Sequence, residues 1–149
     1  MKYTFKEISK YNLAWHPEIM KDGYYEWWYF DAVYDNGYIT YLSFSPRTIW
    51  PTPGMSKEEA DLPWIEIRIT TPDGINLVAE KYFPISEFKA SNETTDVTIG
   101  KKNTLKITKA KANGLPEEYH MKMSEGDLAV DLTYHVMVTG MQFTENNHG

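Results

Sequence analysis

A single acid set within a run of large rings, Tyr24-Tyr25-Glu26-Trp27-Trp28-Tyr29-Phe30-Asp31, is the strongest chemical signal in this chain of 149 residues. A carboxyl group partly stripped of water by its neighbours can serve as a general acid or base. Asn36-Gly37, between two apolar runs, predicts a two-residue type I′ hairpin turn. Asp35 then pairs with Tyr38, Phe30 with Ser43, Trp28 with Ser45, and Glu26 with Arg47, one of the two arginines of the chain. A Glu and an Arg directly across a ladder can form a forked, charge-assisted pair. Glu26 is therefore the candidate catalytic residue, a partly desolvated acid tuned by Arg47. Ala32 and Tyr41 share that face, so large rings alternate with small Ala and Ser side chains, as in a pocket lining rather than a filled core. Trp28, Phe30, Tyr41, Ser43, Ser45 and Arg47 are the candidate ligand-binding residues. Tyr25, Trp27, Tyr29 and Asp31 fall on the opposite face, which also needs a cover and reads as a contact with a second domain or subunit. An ion pair that only neutralises Arg47 at the end of a barrel accounts for Glu26 equally well.

Other chemistry has less support. His16, His120, His135 and His148 stand in no HxH or HExxH pattern, so no metal site is expected. His120 is expected on the face opposite Tyr119, Met121 and Met123, and His135 beside Asp131 and Thr133, both toward solvent. The sequence carries no GxSxG, phosphate-loop or dinucleotide fingerprint, and Ser43 and Ser45 have no evident base nearby. No cofactor is implied.

The elements that must hold these residues are strands. Runs over 23–34, 39–48, 64–71, 75–83, 96–99, 104–109, 118–124 and 128–138 alternate or are rich in β-formers, with Gly, Asn and Asp between them. Eight short strands with almost no helix predict an all-β fold, an antiparallel barrel or sandwich. Ser56-Lys57-Glu58-Glu59 matches a helix capping box. It lies in a long connection containing Pro46, Pro51, Pro53 and Pro63, which reads as a lid or binding loop, or as a stiff crossover.

Length predicts one domain over residues 1–149, able to bury roughly 70% of its unfolded surface. The absence of cysteine excludes disulfides and thiolate chemistry and makes a reducing cytoplasm the default compartment. Lys2, Lys6, Glu7 and Lys10 interrupt any apolar leader, and no stretch reaches membrane-spanning length. A net charge of −6 opposes a nucleic-acid surface; Lys101-Lys102, Lys106, Lys109 and Lys111 suit a solvated strand edge.

The string Glu26-Trp27-Trp28-Tyr29-Phe30-Asp31, followed by an Asn-Gly turn and a second aromatic strand, resembles the N-terminal barrel of the carotenoid hydratase and AttH-like lipocalin family. That family looks related to fungal Diels-Alderases. Val97-Thr98-Ile99-Gly100 and Tyr119 extend the match more weakly. The resemblance implies a lipocalin-like (calycin) barrel of about eight strands, and an apolar small-molecule ligand such as a polyene, terpenoid or polyketide. It also implies a second lipocalin-like barrel as partner, in the same chain beyond Gly149, in another chain or in a homodimer. A hydratase or cyclase is one implied function; a non-catalytic ligand carrier and an assembly domain are the others.

Overall fold

The structure, a computed structural model, describes residues 3–7, 13–17, 26–48, 53–138 and 141–145. They form an all-β chain of antiparallel sheets. The first large sheet has the order β2 (Trp28–Val33), β3 (Ile39–Ser45), β4 (Trp64–Thr70), β5 (Asn76–Tyr82). The second contains β6 (Phe88–Ala90), β7 (Asp96–Ile99), β8 (Asn103–Ala110), β9 (Pro116–Glu125) and β10 (Leu128–His135), each paired with its sequence neighbour. A separate ribbon pairs β1 (Tyr3–Glu7) with β11 (Met141–Glu145). All eight expected strands form, and β1, β6 and β11 add to them. No ladder joins the two large sheets among the described residues.

Alternation puts one face of each sheet into a shared core. Leu42, Phe44, Ile65 and Ile67 come from the first sheet, and Val97, Ile99, Leu105, Met121 and Met123 from the second, all at most 1% exposed. Burying each such side chain contributes about 1.5–3 kcal/mol. Phe83, on the connection between the sheets, packs into the same cluster and lies against Gly100, whose φ is +65°. A Cβ at Gly100 would stand 2.5 Å from the Phe83 ring, so glycine is required there both by conformation and by close approach.

The capping box forms as expected: the Ser56 hydroxyl accepts from the Glu59 N–H, and the Glu59 carboxylate accepts from the Ser56 N–H, opening α1 (Lys57–Ala60). Part of the proline-rich connection borders the second sheet, where Pro46, Arg47 and Asp61 share a pocket with Trp15, Ile85 and Phe88. Another part lies on the outer face of the first sheet, where Pro53, Met55 and Leu62 form a groove with Tyr82. The Thr48 N–H donates to the Ala60 carbonyl, and the Phe83 N–H to the Pro63 carbonyl. Trp64, stacked on Tyr82 at 6.2 Å, donates its indole N–H to the Arg47 carbonyl at 3.2 Å. This cover accounts for the burial of Ser45 and Trp64 on a face that would otherwise meet water.

Candidate functional site

The hairpin between β2 and β3 turns through three residues, Asp35-Asn36-Gly37, not two. The Tyr34 N–H donates to the Tyr38 carbonyl at 2.9 Å, and the Gly37 N–H to the Tyr34 carbonyl at 2.8 Å. Gly37 takes a φ of +84°, which only glycine adopts without cost. The extra loop residue shifts every pair by one: Trp28 faces Phe44, Tyr29 faces Ser43, Phe30 faces Leu42 and Asp31 faces Tyr41. A one-residue shift changes which residues share a face. Trp28 and Phe30 pack against the core with Phe44 and Leu42 beside them, not on a wall spaced by Ser43 and Ser45 as expected. Tyr41, Ser43 and Ser45 lie on the other face, with Tyr29 and Asp31, which corrects their expected grouping with Trp28 and Phe30.

That outer face forms its own cluster. Tyr29 and Tyr41 stack with centroids 6.1 Å apart, and the Arg68 guanidinium sits 5.8 Å from the Tyr41 ring. Arg68 also pairs with the buried carboxylate of Glu66. Burial, and then the Glu66 charge, push the Tyr41 phenol above its ordinary value. Ser43 is fully buried, while the Ser45 hydroxyl donates to the Arg47 carbonyl. Trp27 and Tyr29 are 40% and 53% exposed, and Asp31 is exposed. Tyr25 lies outside the described residues.

Glu26 does not meet Arg47. The β2–β3 ladder ends at Trp28 and Phe44, and the Arg47 guanidinium instead pairs with Asp61 at 2.5 Å. The partner of Glu26 is His16: its Nδ1 lies 2.5 Å from Oε1, and its backbone N–H donates to Oε2 at 3.1 Å. Both side chains are nearly buried, at 8% and 12% exposure. The segment 13–17 is fastened to the body at further points. The Leu13 carbonyl accepts from the Trp28 indole at 3.1 Å and from the Thr95 hydroxyl at 2.7 Å, and the Trp15 N–H donates to the Ser91 carbonyl. Trp15 meets Phe88 edge-on at 5.2 Å and tilts against Trp28 at 6.3 Å.

Beside the His16–Glu26 pair lies a cleft of about 420 Å³. One wall is the stretch from Glu26 through Trp27, Trp28 and Tyr29 to Phe30; Leu13, Thr95 and Tyr119 supply the rest. Phe30 meets Tyr119 edge-on at 5.3 Å and Tyr134 at 5.1 Å. Burial raises the Tyr119 phenol, and raises that of Tyr134 to about 12. The cleft thus places the candidate acid Glu26 beside Trp28 and Phe30. Arg47, Tyr41, Ser43 and Ser45 do not line it. Leu13, Thr95 and Tyr119 complete it from elsewhere in the sequence, with His16 behind Glu26, and no local motif marks them.

His120 and His135 behave as the strand alternation predicts, and His148 lies outside the described residues. His120 lies 2.6 Å from Asp131 on the outer face of the second sheet, and that hydrogen bond is the main reason the Asp131 carboxyl is held below its ordinary value. His135 pairs with Glu118 at 3.4 Å. Among the described residues no three His, Asp or Glu side chains converge on a metal-sized site, and no helix is long and apolar enough to cross a membrane. No protein-family model matches the chain, and comparison with curated proteins and solved structures found no significant match.

Proposed function

We propose that this domain binds an apolar small molecule, a polyene, terpenoid or polyketide, in the cleft beside β2, and that its two sheets correspond to a lipocalin-like barrel of the carotenoid hydratase and AttH-like family. The observation that carries this reading is the convergence of Trp27, Trp28, Phe30 and Tyr119 on one cleft that also holds the Glu26 carboxylate, fixed by His16. Ligand sites are mostly apolar and aromatic, with a few placed polar groups, and commonly enclose 300–1,000 Å³. In a hydratase or cyclase, shape and orientation can supply several kcal/mol of the barrier without a nucleophile. Glu26 is then the group that exchanges a proton with the substrate.

The test uses the intrinsic fluorescence of the five tryptophans. A polyene entering the cleft quenches emission, and Trp28→Ala weakens the effect at least tenfold. Turnover, where a product forms, disappears in a folded Glu26→Gln variant. A broad panel of polyenes and terpenoids that leaves the fluorescence unchanged refutes the reading. A second reading, pairing with another barrel, is favoured by the exposed Trp27, Tyr29, Val78 and Tyr82 on the outer side of the first sheet. A strictly monomeric protein at high concentration, with no partner barrel elsewhere in its native polypeptide, excludes it.

A further inference from the structure

Glu26, Trp27, Trp28, Tyr29 and Phe30, five consecutive residues, line the cleft. A ligand lying on the face of a strand meets every second side chain, because successive side chains point to opposite faces. Lining by both parities means that the cleft runs along the edge of the strand. β2 ends its sheet, and its ladder among the described residues is with β3 alone. The Tyr34–Tyr38 hydrogen bond fixes which backbone groups face which way. Backbone groups alternate along an antiparallel strand, so those of Trp28, Phe30 and Ala32 turn toward β3, while those of Tyr29 and Asp31 turn away from it.

Proteins usually protect such an edge with charge, proline or a covering chain. Here the side chain at the edge is Tyr29, with Trp27 just before it, both well exposed. Two polar groups of the cleft are already engaged. Glu26 accepts two hydrogen bonds from His16, and the Leu13 carbonyl accepts from both Trp28 and Thr95. The main chain of β2 at Tyr29 faces the cleft with no strand paired to it among the described residues, and offers a ligand both a donor and an acceptor.

We infer that the ligand of this cleft carries a secondary amide within an apolar chain, and that the amide pairs with the backbone of Tyr29 as an added strand would. The apolar remainder lies against Trp28, Phe30 and Tyr119. An N-acyl amino acid and a short extended apolar peptide present this same chemistry. The inference rests on the cleft being the ligand site proposed above.

The experiment titrates the full chain, labelled with 15N, with four probes: an N-decanoyl valine methylamide, its ester isostere, a polyene alcohol and an acetylated Val-Thr-Val-Leu amide. One hydrogen bond lost without replacement corresponds to about a tenfold weakening. The amide is expected to bind about tenfold more tightly than the ester and to slow exchange of the Tyr29 N–H. Tyr29→Pro removes that donor at an edge position that tolerates proline and weakens amide and ester alike, because both present a carbonyl to it, whereas Tyr29→Ala keeps the main chain and the preference for the amide. Equal binding of amide, ester and polyene, with Tyr29 exchange unchanged, overturns the amide inference and leaves the cleft as an apolar site. Failure of all four to bind overturns both. Binding by either amide probe with slowed exchange supports the inference, and the tighter of the two identifies the source.

Discussion

Breaking the pair between His16 and Glu26 should loosen the segment that closes the cleft, and a double-mutant cycle measures by how much. The two side chains are 8% and 12% exposed and meet at 2.5 Å, and a second hydrogen bond comes from the His16 backbone. Exposed ion pairs contribute about 0.2–1 kcal/mol, whereas hydrogen bonds to charged groups contribute about 1.5–3 kcal/mol. Near burial places this pair in the second range, so Glu26→Ala and His16→Ala are each expected to cost about 2–3 kcal/mol. The double variant should fall short of their sum by about 2 kcal/mol. With a urea dependence of roughly 2 kcal/mol per molar, each single change lowers the unfolding midpoint by about 1 M. Tryptophan emission follows unfolding. Hydrogen exchange at the Trp15 N–H, bonded to Ser91 at 2.9 Å, follows local release and should accelerate in both single variants. A coupling below about 0.5 kcal/mol, with Trp15 exchange unchanged, would mean that the pair is incidental and the segment is held by its rings.

Gly100→Ala adds a left-handed backbone penalty of about 1–2 kcal/mol and a collision with Phe83, together about 2–4 kcal/mol. Gly126→Ala, at φ +55° with nothing within 4 Å of the added Cβ, shows the conformational part alone. Equal urea midpoints for the two variants would show that Phe83 does not press on Gly100. Because the folded-state value of Tyr134, about 12, lies above the ordinary 10, its contribution to stability is intact below pH 10 and is lost as pH rises through 12. Tyr134→Phe should therefore lose less stability between pH 9 and 11.5 than the parent chain, measured by urea unfolding at each pH. Trp28→Phe removes the indole donor to Leu13 but leaves the Thr95 hydrogen bond to that carbonyl, so a modest cost of about 0.5–1.5 kcal/mol is expected in the same assay.

Strand positions were legible because period-two alternation survives any local error in register. Ile65, Ile67 and Ile69 announce β4, and the same three side chains turn inward toward the core in the structure. β6 was missed because three residues are too few to show a period, and it pairs with β7 only after a 3-10 turn at Ile85–Glu87. Face assignments depend on turn geometry, and here the chain carries its own internal standard. Pro72-Asp73-Gly74 and Ala112-Asn113-Gly114 are three-residue loops closed by the same two hydrogen bonds, each with a glycine at positive φ in the third place. Pro72 fits the first place because proline holds φ near −65°, whereas a type I′ turn demands a positive φ at its central positions. Treating Asp35-Asn36-Gly37 as the third member of that set yields the observed register, with Trp28 opposite Phe44.

The site was less legible for a reason of distance. Glu26 carries a local signal, an acid among rings, but its partner lies ten residues earlier in a segment with no regular pattern. Thr95 and Tyr119 reach the cleft only once the second sheet has packed against the first. The shift in register also changes what the aromatic run does. With a two-residue turn, Trp28 and Phe30 would share a wall with Ser43 and Ser45, whose hydroxyls would supply the polar contacts. In the structure Ser43 is buried on the far face and Ser45 is bonded to Arg47, so neither hydroxyl meets a ligand in the cleft. The main chain of Tyr29 takes their place among the polar groups at the wall, because β2 ends its sheet beside the cleft. An edge strand dense in exposed aromatic side chains would invite aggregation if it had no occupant. A ligand that both covers Trp27 and Tyr29 and satisfies the Tyr29 main chain would remove the two liabilities together.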